Sequence, residues 1–414
     1  MPNYLAPGVY IEEISTGSRP IEPVGTNIAG LIGRAPANER HVDEPMWFDN
    51  WTQFRNAFAT ATEGGAGTPL ASTPLSHAVY GFFLNGGSRC CVVNVGGSDT
   101  IAGDGTPRKG LGIFEQSDVI SIVAAPGYTD GASYEALLSH CEKLQNRVAI
   151  LDAPAEVPNA GALTKVATSE ATARRRRATA AEGEPPAGEP LGYKPRQSDR
   201  GFGAFYFPHI TVRDPLSPKD LVDVPPSGHI AGIYARTDTL RGVHKAPANE
   251  VIRGALNVTY RVTRQEQEQL NPEGVNCIRL FPREGIRVYG ARTLAPSASE
   301  WRYLNVRRLF NMIEESIARS TRWVVFEPND HTLWKSIRRD VSAFLTLIWR
   351  QGALMGRTPE EAFFVQCDEE TNPAEVIDAG QVVVMIGIAP VKPAEFVIFR
   401  IGQGVAGTEI ETAA

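Results

Sequence analysis

Between Ile120 and Pro154 an apolar run, an amphipathic run and a second apolar run follow one another, and this rhythm limits the fold more than any other feature. ISIVAAP (Ile120–Pro126) reads as a strand, YEALLSHCEKL (Tyr134–Leu144) as a helix with Leu137, Cys141 and Leu144 on one face, and RVAILDAP (Arg147–Pro154) as the next strand. A strand–helix–strand unit of this kind predicts a mostly parallel sheet with helices on its faces. TNIAGLIGRA (Thr26–Ala35) and CCVVNV (Cys90–Val95) supply further buried strands, and Pro74–Leu84 a helix between them. After an interruption the pattern resumes with FGAFYFPHI (Phe202–Ile210) and GHIAGIYAR (Gly228–Arg236), where PPSGH is expected to be a turn entering a strand.

The interruption runs from about Ala167 to Arg200. It is poor in apolar residues and carries the arginine run Arg174–Arg177 and several prolines, so an exposed, flexible insertion with a solvated basic loop is expected. The C-terminal third is patterned differently. A helix is expected to start at Ser297, where Ser297 and Glu300 have capping-box spacing, with Val306, Phe310, Ile313 and Ile317 on its core face. WVVFEP (Trp323–Pro328) reads as a strand, and a second helix carries Trp334, Ile337, Val341, Phe344 and Ile348 inward. Thr358, Pro359 and Glu361 mark a third helix start, and QVVVMIGIAPV (Gln381–Val391) closes the region in β-structure.

Both ends carry strand-type runs: APGVYIEEI (Ala6–Ile14), joined to the body through Pro20 and Pro23, and EFVIFRI (Glu395–Ile401), apolar on both faces. Such strands need backbone partners along their edges. The pattern alone leaves two solutions open, pairing within the subunit or donation of a strand to a neighbour's sheet.

Length and composition narrow the function classes. A chain of 414 residues suggests two or three domains. A net charge of −6 offers no broad basic field, which argues against sequence-independent nucleic-acid binding. The five cysteines, Cys90, Cys91, Cys141, Cys277 and Cys367, have neither disulfide-framework nor metal-ligand spacing, so a reducing compartment fits and no metal is expected. Neither a signal peptide nor a membrane helix is expected: Val382–Ala389, the longest apolar run, is far short of the roughly 20 residues needed to span. GFGAF (Gly201–Phe205) and GTNIAGLIG (Gly25–Gly33) miss the dinucleotide fingerprint, and no phosphate loop exists, so no cofactor is expected. Ser227, His229 and Asp152 are the residues a hydrolase reading would use, but no nucleophile elbow surrounds the serine. His331, near a helix start, reads as a surface or capping residue.

Several long blocks carry a resemblance. They are YLAPGVYIEEI (Tyr4–Ile14), TNIAGLIGRA, SRCCVVNVGG (Ser88–Gly97), VPPSGHIAGIYARTDTLRGVHKAPANE (Val224–Glu250) and LNPEGVNCIRLFPREGIRVYGARTLA (Leu270–Ala295). The strongest are SEWRYLNVRRLFNMIEESIARSTRWVVFEPND (Ser299–Asp330) and IDAGQVVVMIGIAPVKPAEFVIFRIGQ (Ile377–Gln403). In these blocks, and in their order, the chain resembles the tail sheath proteins of contractile phage tails and phage-tail-like contractile injection systems.

The resemblance implies an α/β and α+β fold: a central subtilisin-like α/β region plus a C-terminal α+β sheath domain, with terminal strand-donating arms. The expected divisions are an N-terminal linker arm (1–24), the N-terminal part of the sheath core (25–105), the subtilisin-like domain with a variable insertion at 156–200 (106–270), the C-terminal sheath domain (271–393) and a C-terminal linker strand and tail (394–414). It also implies a structural, non-enzymatic subunit that polymerises as stacked hexameric rings or a six-start helix around an inner tube and contracts. Its partners would be other copies of itself, the tube protein, and baseplate and tail terminator (cap) proteins, with no nucleic acid and no direct membrane insertion. Assembly is expected in the cytoplasm, with release only by lysis or within a particle.

The donor strands carried over from the resemblance are Val9, Tyr10, Ile11, Glu12, Glu13 and Ile14 at one end and Phe396, Val397, Ile398, Phe399, Arg400 and Ile401 at the other, with Ser15–Pro23 as a hinge. Arg307, Arg308, Arg338 and Arg339 are expected on the polar faces of two helices, where they would form intramolecular or lattice ion pairs or meet an acidic inner tube. A hydrolytic enzyme of subtilisin-like or other α/β type is the alternative from a different class, and a monomeric binding module is a third.

Overall fold

The computed structural model describes residues 20–62, 64, 67–103, 105–167 and 192–396. In chain order the strands are β1 (Ala29–Gly33), β2 (Pro45–Phe48), β3 (Cys90–Asn94), β4 (Ile122–Ala124), β5 (Val148–Asp152), β6 (Gly203–Phe207) and β7 (Ile210–Arg213). They continue as β8 (Leu221–Val224), β9 (Glu250–Val251), β10 (Ala255–Val258), β11 (Val275–Phe281), β12 (Gly285–Tyr289), β13 (Phe363–Gln366) and β14 (Met385–Ile388). The longer helices are α1 (Trp51–Phe58), α2 (Pro74–Leu84), α3 (Gly131–Leu144), α4 (Ser227–Arg241), α5 (Arg264–Leu270), α6 (Leu304–Ser320) and α7 (His331–Arg350).

One mixed sheet organises the molecule, in the order β2-β3-β1-β4-β5-β6-β11-β12-β9. Its six central strands, β3 to β11, run parallel, and the outer pairings are antiparallel. Strands β1, β3, β4, β5 and β6 are buried at every position, so both sheet faces must be covered. The two-residue period divides each strand between two cores. Leu31, Val92, Ile122 and Ile150 meet Val79, Phe82, Ile230 and Ile233 of α2 and α4 on one face. Ile32, Val93, Val123 and Leu151 meet Leu137, Leu138 and Cys141 of α3 on the other. Each such side chain contributes roughly 1.5–3 kcal/mol of transfer free energy, so the helices packed on both faces of the parallel strands are a main source of stability.

Two runs fold differently from the expectation. GHIAGIYAR is helical: α4 occupies Ser227–Arg241 and is buried continuously from Ser227 to Thr237. A helix covered on all sides has no polar stripe, and a short apolar run then reads the same as a buried strand. Pro225 and Pro226, immediately before it, were the available sign of a helix start. α4 lies against α2 with almost no side chain between them. A Cβ on Gly228 would stand 2.2 Å from Ala78 Cα, one on Gly232 2.4 Å from the Phe82 carbonyl oxygen, and one on Gly81 2.3 Å from His229 Nδ1.

WVVFEP is not a strand. It forms a 3-10 turn over Arg322–Val324 and then an open corner where Val325 and Phe326 face solvent, Phe326 with φ of 71°. A bulky side chain pays a steric cost in that left-handed region.

α6, α7 and the β13–β14 pair enclose a third core containing Leu309, Ile313, Trp334, Ile337, Val341, Phe344 and Ile348. α6 begins at Leu304, later than expected. Ser299, not Ser297, caps the preceding turn by accepting from the Trp301 amide, and the Ser297 hydroxyl donates to the Pro272 carbonyl. The helix expected at Thr358 is a single turn, Pro359–Ala362, and QVVVMIGIAPV forms a strand over Met385–Ile388, with a single further bridge from Pro390 to Leu354.

Because α2 and α4 touch backbone to backbone, Gly228→Val should destabilise the fold by about 3 kcal/mol, the upper range for overpacking a tight core. A drop in the urea midpoint at unchanged slope would register it, and an unchanged midpoint would show that the two helices can separate.

Candidate lattice-forming site

Both ends of the described chain are seated on α6. At the entering end, Ile21 is buried in the third core and the Val24 amide donates to Ser316 Oγ at 3.0 Å. The Thr26 hydroxyl donates to Asp238 Oδ2 at 2.5 Å. Arg308 closes the arrangement: it donates to Asp238 Oδ1 at 2.9 Å and Oδ2 at 2.5 Å, and to the Thr26 carbonyl at 2.9 Å. The Arg308 and Asp238 side chains are 3% and 4% exposed, and the guanidinium stacks 4.7 Å over Tyr234. A buried bidentate pair with its remaining donor satisfied is the form in which a guanidinium tolerates desolvation.

The leaving end is held near the start of the same helix. Glu395 accepts from Arg292 Nε at 2.9 Å and Nη2 at 2.8 Å, from Asn271 Nδ2 at 2.6 Å and from the Tyr303 hydroxyl at 3.1 Å. Burial alone would raise its carboxyl, yet these donors hold it below the usual carboxylate range. Asn305 Nδ2 donates to the Val391 carbonyl at 3.0 Å. Ser316 lies thirteen positions beyond Tyr303, the cap of α6, so the two seats stand about 20 Å apart along one helix.

Of the expected donor strands, Val9–Ile14 and Val397–Ile401 lie outside the described residues; Phe396 is described and is 71% exposed. The expected hinge is described only from Pro20, and Ile21 within it is docked. The four arginines do not share a polar face. Arg307 and Arg308 are buried, because α6 is enclosed by neighbouring layers on more than one side. Arg307 lies 4.3 Å from the Trp301 ring and 4.8 Å from the Phe202 ring and donates to Asn311 Oδ1 at 2.8 Å. Arg338 and Arg339 are exposed on α7, with Arg339 Nε donating to Asp340 Oδ1 at 2.9 Å. Sequence reading missed Asp238, Ser316, Arg292 and Glu395. All lie far from their partners along the chain, and no local spacing marks them.

The β13–β14 pair borders the same core. Among the described residues each strand has only the other as a ladder partner, and Phe364 and Met385 are more than half exposed. Two strands alone are marginally stable, and this pair offers two free edges.

Ser227 and Asp152 are brought together, but as a helix anchor. The Ser227 hydroxyl and amide donate to the two Asp152 oxygens at 2.5 and 2.8 Å, fixing the start of α4 to the end of β5. His229 packs over Gly81, and all three side chains are at most 2% exposed. Burial pushes Asp152 up to about 7 against these bonds and His229 down to about 3. Among the described residues no three His, Cys, Asp or Glu side chains are grouped to hold a metal, and no helix is long and apolar enough to cross a membrane.

The family model described as the phage tail sheath protein central domain matches residues 86–294, half of the chain, and that of the phage tail sheath C-terminal domain matches 297–403. The chain belongs to the phage tail sheath family. Among sheath relatives, the tail sheath protein of Vibrio phage KVP40 is 32% identical over 177 residues, and that of Salmonella phage ViI 31% identical over 171. These stretches are 42% and 40% of this sheath-family chain but only 26% of each phage protein. Solved sheaths match along almost the whole length. The PVC sheath complex of an extracellular contractile injection system, in its contracted state, is 28% identical with a TM-score of 0.72, over 98% of this chain and 99% of that one. The contracted helical sheath of the anti-feeding prophage is 28% identical with a TM-score of 0.71, over 97% and 100%. The mixed α/β architecture is thus that of a sheath subunit.

Two outcomes are expected. Arg308→Met should cost about 3–5 kcal/mol by stranding the buried Asp238 carboxylate, and Arg308→Met with Asp238→Leu should recover much of it. Equal urea midpoints for the single and double variants would contradict this. The pH dependence follows from the buried groups. Burial lowers His77, His140, His209 and His229, His140 to about 4 with help from Arg147. Their contribution is full above the unfolded value near 6.5 and is lost as pH falls through the lower folded values. Asp152, raised, opposes them: its contribution is full below the unfolded carboxylate value near 4 and is lost as pH rises through about 7. Stability should therefore fall from pH 6.5 to 5. His140→Gln or His229→Gln should flatten that slope and Asp152→Asn should steepen it, read as urea midpoints across the range.

Proposed function

We propose that this chain is the repeating structural subunit of a contractile sheath, which polymerises around an inner tube and contracts to drive the tube through a target envelope. The observation that carries this reading is the near full-length likeness to sheath subunits solved in contracted particles. A related anti-feeding prophage chain, 28% identical, comes from a baseplate symmetrised six-fold, which supports six-fold rings or a six-start helix with a baseplate at one end. A tail terminator would close the other end.

Strand exchange connects the subunits in this reading. Val9–Ile14 of one neighbour and Phe396–Ile401 of another add to the free edges of β13 and β14, converting a marginal pair into a four-stranded sheet. The seats on α6 support it, since they hold the chain at Ile21–Thr26 and at Glu395 at fixed points from which arms would extend to a neighbour. A donor strand and an acceptor edge at different places on the surface would make the contact heterologous, and such a contact propagates as an open helix. Rigid cores can then rotate while the arms keep neighbours attached, and the energy of contraction is stored at assembly without a nucleotide site. The hinge falls before Ile21, because Ile21 and Val24 are docked.

Within this scheme residues 106–270 form the subtilisin-like region, 25–105 the first part of the core and 271–393 the C-terminal sheath domain. Arg338 and Arg339, exposed on α7, remain candidates for tube or lattice contacts, whereas Arg307 and Arg308 serve the subunit's interior. Val325 and Phe326 add a candidate apolar contact, because a strained, fully exposed aromatic ring does nothing for the isolated subunit. Subunits would assemble in the cytoplasm into a tail or tail-like particle. The hydrolase alternative has less support, with Ser227 and His229 enclosed and the serine hydroxyl committed to Asp152.

Deleting residues 1–14, or everything after Ala394, should abolish ordered tubes or ring stacks in negative-stain microscopy while leaving soluble protein. Unchanged polymers in both deletions would remove the donation scheme. Phe326→Asn should leave the melting temperature unchanged or higher and reduce polymer yield. An unchanged yield would remove Phe326 from the contact surface.

A further inference from the structure

The β11–β12 hairpin and the segment leading into α5 border an open cavity of about 440 Å³. Three guanidinium groups line it, those of Arg261, Arg279 and Arg283, together with Val262, Leu280 and Phe281, and no carboxylate is among its lining residues. Arg279 is held in place: Nη1 donates to Gln267 Oε1 at 2.8 Å, and its guanidinium stacks 5.4 Å over Phe281 and 6.0 Å over Tyr289. Arg261 and Arg283 are exposed and form no ion pair with the described residues. Arg283 also has φ of 70° at the hairpin tip, where glycine or asparagine would sit without steric cost. The wall has backbone to offer as well. β6 pairs only with Val275–Cys277, so from Ile278 to Phe281 the sole ladder partner of β11 among the described residues is β12. Basic side chains interspersed with apolar ones beside a free strand edge fit an extended acidic peptide.

We propose that this groove is a docking site for an acidic extended segment, and that its occupant in the free subunit is the chain's own C-terminal segment around Glu409–Glu411. That segment, TEIET (Thr408–Thr412), places two carboxylates on one side of an extended chain and Ile410 on the other, and no lysine or arginine follows Arg400. The other acidic terminal pair, Glu12 and Glu13, is adjacent in sequence, so an extended backbone turns only one of the two toward the groove.

Reach favours the C-terminal segment. The chain leaves the described residues beside Glu395, which is bonded to Asn271 at the end of α5, and Gln267 on α5 touches Arg279 of the groove. That helix is about 10 Å long, whereas the 13 residues from Phe396 to Glu409 extend up to about 45 Å. Docking holds the C-terminal segment against its own body; under the strand-exchange reading it would also compete with donation to a neighbour. The proposal does not depend on the sheath reading.

The test uses the full chain carrying Pro282→Cys and Ile410→Cys, since the five native cysteines are buried. Mild oxidation should give an intramolecular disulfide, seen as a faster band on a non-reducing gel. Glu409→Lys with Glu411→Lys should lower its yield about fivefold, in line with the loss of two exposed ion pairs. Adding Arg261→Glu and Arg283→Glu should restore it. High salt should lower the yield with the native charges in place, a measurement independent of whether the charge variants fold. No crosslink, a yield indifferent to both salt and charge reversal, or a ladder of intermolecular species in place of the fast band would each overturn the proposal. So would a stronger crosslink from Glu12→Cys than from Ile410→Cys.

Discussion

The ion pair between Arg308 and Asp238 is the interaction on which the arrangement of layers depends. Asp238 belongs to α4, packed on the central sheet, and Arg308 to α6, which belongs to the C-terminal core. Their side chains meet away from water and also bind the chain at Thr26, so three distant parts of the sequence share one buried contact. A buried pair of this kind adds little net stability over an apolar contact, but a misregistered α6 would strand two charges. It therefore acts mainly to select one position of the C-terminal core against the central layer, and it fixes where the entering chain must run.

The glycines of α2 and α4 work beside it. Close approach at Gly81, Gly228 and Gly232 brings α4 down onto the sheet and α2 onto α4, leaving Asp238 at the far end of a rigid helix. At the near end, Asp152 anchors Ser227 to β5. One helix thus links the end of a central parallel strand to the seat of an arm. Under the proposed strand exchange, in which the arms would carry load between neighbours, such stiffness between the two seats and the sheet is the useful property.

Parts of this were legible in the sequence and parts were not. The strands at Thr26–Ala35, Cys90–Val95, Ile120–Pro126 and Arg147–Pro154, and the helices over Pro74–Leu84 and Tyr134–Leu144, follow from local periodicity, and the structure has elements there. The inward residues of α7 follow from their spacing. α4 was misread because complete burial removes the polar stripe that distinguishes a helix from a strand. WVVFEP was misread because Val325 and Phe326 face solvent, contrary to the rule that such runs are buried, while only Trp323 and Val324 pack against the third core. The arginines of α6 were placed outside because charge usually marks the wet face, and only the carboxylate brought up by α4 makes the interior acceptable for Arg308.

What the sequence determined by itself was the alternation of apolar strands and amphipathic helices, and with it a layered, mostly parallel α/β core and the family of proteins it resembles. Those features depend on residues near one another in the chain, whose periodicity survives in one dimension. The tertiary structure alone decided that Asp238 meets Arg308, that Glu395 meets Arg292 and Asn271, that three arginines face one groove, and that β13 and β14 keep free edges. The two ion pairs and the Asn271 bond join residues separated by 70 to 124 positions, and their pairing energies exist only once the backbone has brought them within a few ångströms; the groove and the edges depend on how hairpins of nearer residues are placed.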